Sequence, residues 1–246
     1  MIRNFLAALQ FLTLFPLSGD YCLTADRKTA SAYFPLIGLL IGIVLAALDW
    51  GLGYIFPVSL RSACILAALF LMTGGLHLDG LADSADGFMS GKPKEDIFRI
   101  MKDSRSGAMA VSAVGCALII QFAALSALPR ADRVAAIVLF PAAGRAAIVL
   151  VMGLFPIALE AGSTHLFSDR PRAWLAVFSG MFLIVSGWAG AGAAGAAAAV
   201  FVLITAWLAG LYIKRKLGGY TGDTLGAVCV ISEISFLLAL IAAALP

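Results

Sequence analysis

The chain of 246 residues is 62% apolar and only 13% charged, and its mean hydropathy is +1.00. Soluble domains are nearer half apolar and a quarter charged, so this composition excludes an ordinary soluble protein and predicts an integral membrane protein. The apolar runs are long enough to cross a bilayer as helices and lack the alternating pattern of a β-barrel. The four cysteines lie far apart, which favours buried thiols over a disulfide or zinc framework.

Residues 5–17 are apolar but too short to cross a bilayer, so we predict an interfacial or re-entrant helix there. They lack a clear small-residue cleavage site, and we expect no removed signal peptide. About seven spanning helices should follow. Gly38 and Gly42 share one face of the first span, which predicts close helix contact. The predicted spans are 33–56, 60–77, 107–128, 134–155, two within 172–213 that meet at a turn in the glycine-rich run 187–195, and 225–245.

A polar insert at 79–106 separates the second and third spans, and residues 95–102 within it have the pattern of a short amphipathic helix. If this insert faces the cytoplasm, alternating spans place twelve of the seventeen basic residues on that side and three on the other. This asymmetry follows the positive-inside rule. The sequence therefore predicts a polytopic all-α bundle whose insert, and most other polar groups, face the cytoplasm. The twelve basic residues on the cytoplasmic side are Arg27, Lys28, Lys92, Lys94, Arg99, Lys102, Arg105, Arg170, Arg172, Lys214, Arg215 and Lys216. The three on the other side are Arg61, Arg130 and Arg133.

Three carboxylates lie close together in the sequence at the start of the insert: Asp79, Asp83 and Asp86. On a helix they would lie at roughly 0°, 40° and −20°, within one arc of about 60°. Like charges so close repel, and a hard divalent cation such as Mg²⁺ or Mn²⁺ would relieve them. A solvated helix end is the alternative. His77 lies about 160° from Asp79 on such a helix; an interfacial role and a substrate contact remain equally open for it.

Two further polar segments point to phosphate chemistry. The segment 101–107 contains Lys102, Asp103, Ser104 and Arg105 where the third span begins, and an arginine beside a helix N-terminus suits a phosphate group. Capping and anchoring is the alternative for this segment. The loop 218–226 reads Gly-Gly-Tyr-Thr-Gly-Asp-Thr-Leu-Gly and is a candidate phosphate cradle, with Asp223 as a ligand or base. It is not a P-loop, because no Gly-Lys-Ser/Thr follows.

Two charges lie around the mid-depth of predicted spans, Arg145 in the fourth and Glu233 in the last. Charges facing lipid are costly, so both should face the bundle interior. They could pair with each other, or Arg145 could reach the carboxylates.

These residues together give the chain a close resemblance to the cobalamin synthase (adenosylcobinamide-GDP ribazoletransferase) family over nearly its full length. The resemblance rests on Phe-Pro-Leu-Ile-Gly at 34–38, His-Leu-Asp-Gly-Leu-Ala-Asp at 77–83 with Asp86-Gly87, Ile-Met-Lys-Asp-Ser-Arg at 100–105, and Thr-Gly-Asp-Thr-Leu-Gly-Ala at 221–227. The residues around Arg145 and the position of Glu233 also match the family pattern. One departure is Leu14, where the family pattern usually has arginine.

The resemblance implies a single transmembrane catalytic domain over 1–246, in the bacterial inner membrane, with its active site facing the cytoplasm. It implies Mg²⁺-dependent transfer of the adenosylcobinamide-phosphate moiety from adenosylcobinamide-GDP to α-ribazole or its 5′-phosphate. The products would be adenosylcobalamin (or its phosphate) and GMP. Homo-oligomers and other cobalamin-assembly enzymes are expected partners besides the lipid bilayer; nucleic acid is not.

Residue roles follow from the same resemblance and the chemistry of phosphoryl transfer. The predicted catalytic residues are Asp83, Asp223 and Arg105. The predicted metal ligands are Asp79, Asp83, Asp86 and Asp103. The predicted substrate-binding residues are His77, Lys102, Ser104, Arg145, Gly219, Thr221 and Thr224.

Two other classes of protein remain as alternatives. An ion-coupled transporter would also use intramembrane charges such as Arg145 and Glu233, but it would concentrate its polar groups near the midplane. A membrane scaffold for a biosynthetic complex would not need a cluster of carboxylates. The gathering of polar groups at one face favours the enzyme.

Overall fold

The computed structural model describes residues 1–19, 21, 27–158 and 173–244, and these residues are almost entirely helical. Their β-structure is limited to an isolated parallel bridge between Ile157 and Tyr220. The predicted loop 160–172 lies outside the described residues. Two short turns, Arg27–Ala30 and Ser31–Tyr33, precede the second long helix. The helices are α1 (Ile2–Leu12), α2 (Phe34–Leu52), α3 (Val58–Thr73), α4 (Leu76–Met89), α5 (Lys94–Met101), α6 (Ala108–Ala127), α7 (Arg130–Leu154), α8 (Ala173–Leu217) and α9 (Gly222–Ala244).

The described helices α2, α6, α7, α8 and α9 are long and apolar enough to cross a membrane, and the bent pair formed by α3 and α4 gives a sixth candidate. The chain is therefore a multi-pass helical membrane protein, as predicted. The count of seven spans stays a prediction. Helix α1 has only 11 residues, too few to cross a bilayer. It ends at Leu12, five residues before the predicted end of the N-terminal apolar stretch.

Helix α8 is interrupted at Ala191 (φ −139°, ψ 23°) and Gly192 (φ 59°, ψ −142°). The two arms pack against each other next to this break, where a Cβ on Gly187 would lie 2.5 Å from the carbonyl oxygen of Gly195. The small residues allow this approach. The predicted turn within 187–195 is confirmed, and the two arms form a hairpin.

The second predicted span, 60–77, does not continue as far as expected. Helix α3 ends at Thr73, and Gly74 (φ 62°) and Gly75 (φ 72°) then adopt left-handed conformations that glycine accepts readily. The chain bends by 90° between α3 and α4. His77 consequently belongs to α4, and the three acids of the insert lie on a helix that turns away from the direction of α3.

Helix α7 lies at the centre of the bundle and packs against α2, α8 and α9. Most of its side chains from residue 136 to 152 are buried. The predicted contact face of α2 is confirmed, because a Cβ on Gly38 would lie 2.5 Å from the carbonyl oxygen of Pro141, and Gly42 packs on Val138 in the same way. The amphipathic helix predicted at 95–102 is α5, which buries Ile97 and Phe98.

Candidate active site

Helix α4 presents its carboxylates on one face, as predicted, because it is continuous from Leu76 to Met89. Asp79 is exposed, whereas Asp83 and Asp86 are half-buried. His77 is buried on the opposite side of the helix. The helix therefore separates an open acidic face from a face that packs into the bundle.

Close packing of glycines brings Asp223 to this acidic face. A Cβ on Gly80 would lie 2.5 Å from the backbone oxygen of Asp223 and 3.1 Å from the Cα of Gly226. Helices α4 and α9 can cross this closely only because both contact positions lack side chains. Two segments about 140 residues apart in the sequence thus form one acidic surface.

The acids act on one another electrostatically. The pKa of Asp83 is raised to about 6, first by its partial burial and then by the negative charges of Asp79, Asp223 and Asp86. A carboxylate with such neighbours has a strong tendency to bind a proton or a cation. The sequence had predicted this mutual repulsion from the like charges on one face of α4.

Asp86 has a role that the sequence did not reveal. Its Oδ2 accepts a hydrogen bond from the backbone N–H of Gly107 at 2.5 Å, and its Oδ1 accepts one from Ala110 at 2.8 Å. The carboxylate therefore caps the N-terminus of α6 from a different helix. Its assignment as a metal ligand stays a prediction, since both oxygens already serve the cap.

The segment between α5 and α6 holds an ion pair. Arg105 donates from Nη2 to Oδ2 of Asp103 at 2.8 Å and from Nε to Oδ1 at 3.1 Å. These hydrogen bonds lower the pKa of Asp103 to about 2. The guanidinium is largely exposed, and Ser104 beside it is exposed too. Lys102 is close enough to Asp223 for the two charges to interact.

The loop before α9 is fixed by its own hydrogen bonds. The backbone N–H of Thr221 donates to Oγ1 of Thr224 at 2.8 Å, and the N–H of Thr224 donates to Oγ1 of Thr221 at 3.1 Å. This reciprocal cap begins α9 just before Asp223. Gly219 packs on the backbone of residues 156–158, which the bridge to Tyr220 holds in place. These contacts position Asp223, and the substrate contacts of Gly219, Thr221 and Thr224 stay predictions.

Arg145 and Glu233 form a buried ion pair, which decides between the two arrangements left open by the sequence. Nη2 of Arg145 also lies 3.3 Å from Nδ1 of His77, and Gln121 donates to Oε2 of Glu233 at 3.1 Å. The pair therefore links α4, α6, α7 and α9 behind the acidic face. Sequence reasoning missed Gln121, although a lone amide within an apolar span was a usable signal. Direct substrate contact by Arg145 or His77 stays a prediction.

A cavity of about 750 Å³ opens beside Asp79, between α1, the bend from α3 to α4, and α6. Its walls are mainly apolar, and Leu14, the residue that departs from the family pattern, is one of them. This volume is within the usual range for a small-molecule site. The lining residues are Gln10, Phe11, Thr13, Leu14, Phe70, Thr73, Gly74, Gly75, Leu76, Leu78, Asp79, Ala82, Val114 and Leu118.

The donor set suits a hard cation, because it consists of carboxylates that share one surface and that, after burial, raise the pKa of Asp83. Within the described ranges, no three His, Cys, Asp or Glu side chains are already arranged as a metal cluster. The fold and this surface define a multi-pass membrane protein with an acidic site at one end of the bundle and a ligand-sized cavity beside it.

Comparison with known proteins gives the family. The sequence profile described as "CobS: Cobalamin-5-phosphate synthase" matches residues 4–241. The chain is 34% identical over 243 residues to the adenosylcobinamide-GDP ribazoletransferase of Geotalea daltonii, covering 98% of each chain. It is 38% identical over 240 residues to the protein of that name from Pseudomonas fluorescens, covering 95% of this chain and 96% of the other. The chain belongs to the cobalamin synthase family. No solved structure matches it.

Proposed function

We propose that the chain transfers the adenosylcobinamide-phosphate moiety from adenosylcobinamide-GDP to α-ribazole or its 5′-phosphate, in a Mg²⁺-dependent reaction that releases GMP. Family membership and relatives that bear the name of this enzyme support the reaction. The observation that supports its location is the acidic surface on which Asp79, Asp83 and Asp223 interact.

Asp79 and Asp83, beside Asp223, are the residues that would hold Mg²⁺ against the donor diphosphate. Bound Mg²⁺ would neutralise negative charge on the diphosphate oxygens. Asp86 and Asp103 belong to the predicted ligand set, but the first caps α6 and the second binds Arg105. Asp86 and Asp103 would coordinate Mg²⁺ only while keeping these hydrogen bonds, so we give them supporting roles.

The remaining residues bind the substrates and accept the proton that the reaction releases. In the proposed step a ribose hydroxyl that is free in both α-ribazole and its 5′-phosphate, and is therefore not the 5′-hydroxyl, forms a bond through its oxygen to the phosphorus that bears the cobinamide. The bond from that phosphorus to the bridging oxygen breaks, and GMP leaves with this oxygen. The hydroxyl proton passes to Asp223. Arg105 and Lys102, both exposed beside the acids, would bind phosphate oxygens.

The cavity beside Asp79 is the candidate position for the acceptor. Its apolar walls suit the aromatic base of a ribazole, and its opening at Asp79 would place the ribose end near the acidic surface. The excess of basic residues on one side of the membrane supports a cytoplasmic orientation for this surface and an inner-membrane location.

The transporter alternative is not favoured. The two intramembrane charges, Arg145 and Glu233, neutralise each other inside the bundle. The carboxylates that interact electrostatically lie at one end, around α4 and the start of α9.

The test is a GMP-release assay with the purified protein, adenosylcobinamide-GDP and α-ribazole, with and without Mg²⁺. We expect GMP only when the acceptor and Mg²⁺ are both present. A protein that binds the donor but releases no GMP with either α-ribazole or its 5′-phosphate would contradict the proposal. Comparing the two acceptors at equal concentration identifies the working substrate.

A further inference from the structure

A second polar cavity lies at the end of the bundle opposite the acidic surface. Helix α7 begins at this cavity and extends about 32 Å from Arg133 to Leu154, roughly the thickness of the hydrocarbon core. The cavity measures about 450 Å³ and is formed by the end of α2, the start of α3 and the start of α7. Its lining residues are Asp49, Trp50, Gly53, Tyr54, Arg61, Arg130, Arg133 and Val134.

The inner wall of the cavity is a buried ion pair. Nη2 of Arg133 lies 2.6 Å from Oδ1 of Asp49, and its Nε donates to Oδ2 at 3.1 Å. Its Nη1 donates to the carbonyl oxygen of Leu125 and approaches the hydroxyl of Ser62. Arg133 and Asp49 therefore satisfy each other and fix the geometry of this end of the bundle. From the sequence, Arg133 was only one of the three basic residues predicted on the non-cytoplasmic side, and Asp49 had no predicted role.

The other two arginines of the cavity are at most partly neutralised. Arg61 reaches the same carboxylate from Nη1 at 3.4 Å, a long contact with a group that Arg133 already occupies, and it donates from Nη1 to the backbone oxygen of Asp49 at 3.2 Å. Nε of Arg61 is buried and has no hydrogen-bond partner within the described chain. Arg130 is exposed, and no partner for it is found among the described residues. Three arginines and one aspartate leave the lining with a net charge of +2.

The rim of this cavity is aromatic. Trp50 and Tyr54 are 69% and 74% exposed and contact each other edge to face, with ring centroids 5.2 Å apart. Exposed tryptophan and tyrosine at the end of a spanning helix are typical of the depth at which lipid head groups lie. The cavity is thus a positively charged recess in the interfacial layer.

We propose that this recess binds a phosphate group through Arg61 and Arg130, and that the phosphate belongs to the head group of an anionic phospholipid in the leaflet opposite the active site. Guanidinium groups suit phosphate because their N–H groups match its oxygens in pairs. Free phosphate has the same chemistry and is the alternative source. Arg133 positions the site by holding Asp49, and it keeps that carboxylate from neutralising the other two arginines completely.

The experiment is native mass spectrometry of the detergent-purified full chain titrated with phosphatidylglycerol. The test variant is Arg61→Gln/Arg130→Gln, which leaves the buried pair of Arg133 and Asp49 in place. We expect its apparent affinity for phosphatidylglycerol to fall by about tenfold or more, since charge-assisted hydrogen bonds are lost. The control Lys214→Gln/Arg215→Gln removes the same charge from exposed residues and should bind like the unaltered protein.

Competition identifies the source of the phosphate. If inorganic phosphate displaces phosphatidylglycerol from the unaltered chain, the recess also accepts the free ion; if it does not, the lipid head group is the occupant. Diacylglycerol, which lacks phosphate, should bind all variants equally. Equal phosphatidylglycerol affinity for the unaltered protein and the Arg61/Arg130 variant would overturn the proposal, as would an equal loss in the control. Thermal unfolding of the same preparations checks that the variants are folded.

Discussion

Charges are arranged in opposite ways in two regions of the molecule. One region is the buried pair of Arg145 and Glu233, and the other is the acidic surface formed by Asp79, Asp83 and Asp223. In the interior, the arginine and the glutamate neutralise each other, and Gln121 and His77 complete the network. At the surface, like charges lie together, and the pKa of Asp83 rises to about 6. The same helix, α4, takes part in both regions through opposite faces.

This difference separates structural charges from functional ones. A charge that only holds helices together needs its partner within the protein, because nothing else reaches it there. Neighbouring carboxylates repel one another and destabilise the folded protein unless a cation binds, so their arrangement is consistent with the proposed Mg²⁺ site. Substitutions in the interior and at the acidic surface test the two halves of this contrast separately.

The largest effect is expected in the interior. Glu233→Gln leaves the guanidinium of Arg145 buried without its counter-charge, and breaking a buried pair in this way costs about 3–5 kcal/mol. We expect a large drop in Tm, measured by thermal unfolding in detergent. Replacing both partners, Arg145→Met with Glu233→Met, should recover much of the loss. A Glu233→Gln protein as stable as the unaltered one would show that the pair does not hold the four helices.

Asp83→Asn should lower the rate of GMP release by at least about 100-fold, more than the loss of a residue that only supports a ligand. The change removes the central negative charge of the surface while keeping the shape of the side chain. The control is Asp96→Asn, an exposed carboxylate of α5 that pairs with Arg99. Near-normal turnover by Asp83→Asn would remove Asp83 from the catalytic set.

Gly80→Ala should lower the rate of GMP release by about tenfold or more, because small displacements of reacting groups have large effects on rate. The added methyl would lie 2.5 Å from the backbone oxygen of Asp223 and push α4 away from α9. Gly115→Ala is the matched control, since a Cβ there meets nothing within 4 Å. Equal rates for the two variants would mean that the close crossing of α4 and α9 does not set the geometry of the site.

The smallest effect is expected for Asp86→Asn, because asparagine keeps one of the two acceptor oxygens that cap α6. We expect GMP release to fall much less than in Asp83→Asn. Asp86→Ala removes the cap of α6 and should cost about 1 kcal/mol of stability. The comparison is made on turnover and Tm together. A loss of turnover in Asp86→Asn equal to that in Asp83→Asn would restore Asp86 as a full metal ligand.

Much of this arrangement could be predicted from the sequence, because hydropathy and helical spacing are local properties. The spans, the shared face of Asp79 and Asp83, and the contact face of Gly38 are of this kind. The bend at Gly74 and Gly75 was missed, since two glycines inside an apolar run do not reveal a left-handed backbone. The cap by Asp86, the contacts of the Arg145–Glu233 pair with His77 and Gln121, and the cluster at Asp49 depend on contacts between distant helices, which one sequence does not specify.

The most direct test of the central claim is the affinity for Mg²⁺, measured by isothermal titration calorimetry on the purified protein and on Asp83→Asn. We predict that the unaltered protein binds Mg²⁺ and that the substitution weakens binding by at least about 100-fold, consistent with the loss of a charged ligand. Because the pKa of Asp83 is raised to about 6, lowering the pH through that value should also weaken binding to the unaltered protein as the carboxylate becomes protonated. Equal Mg²⁺ affinity for the two proteins, at every pH, would contradict the account.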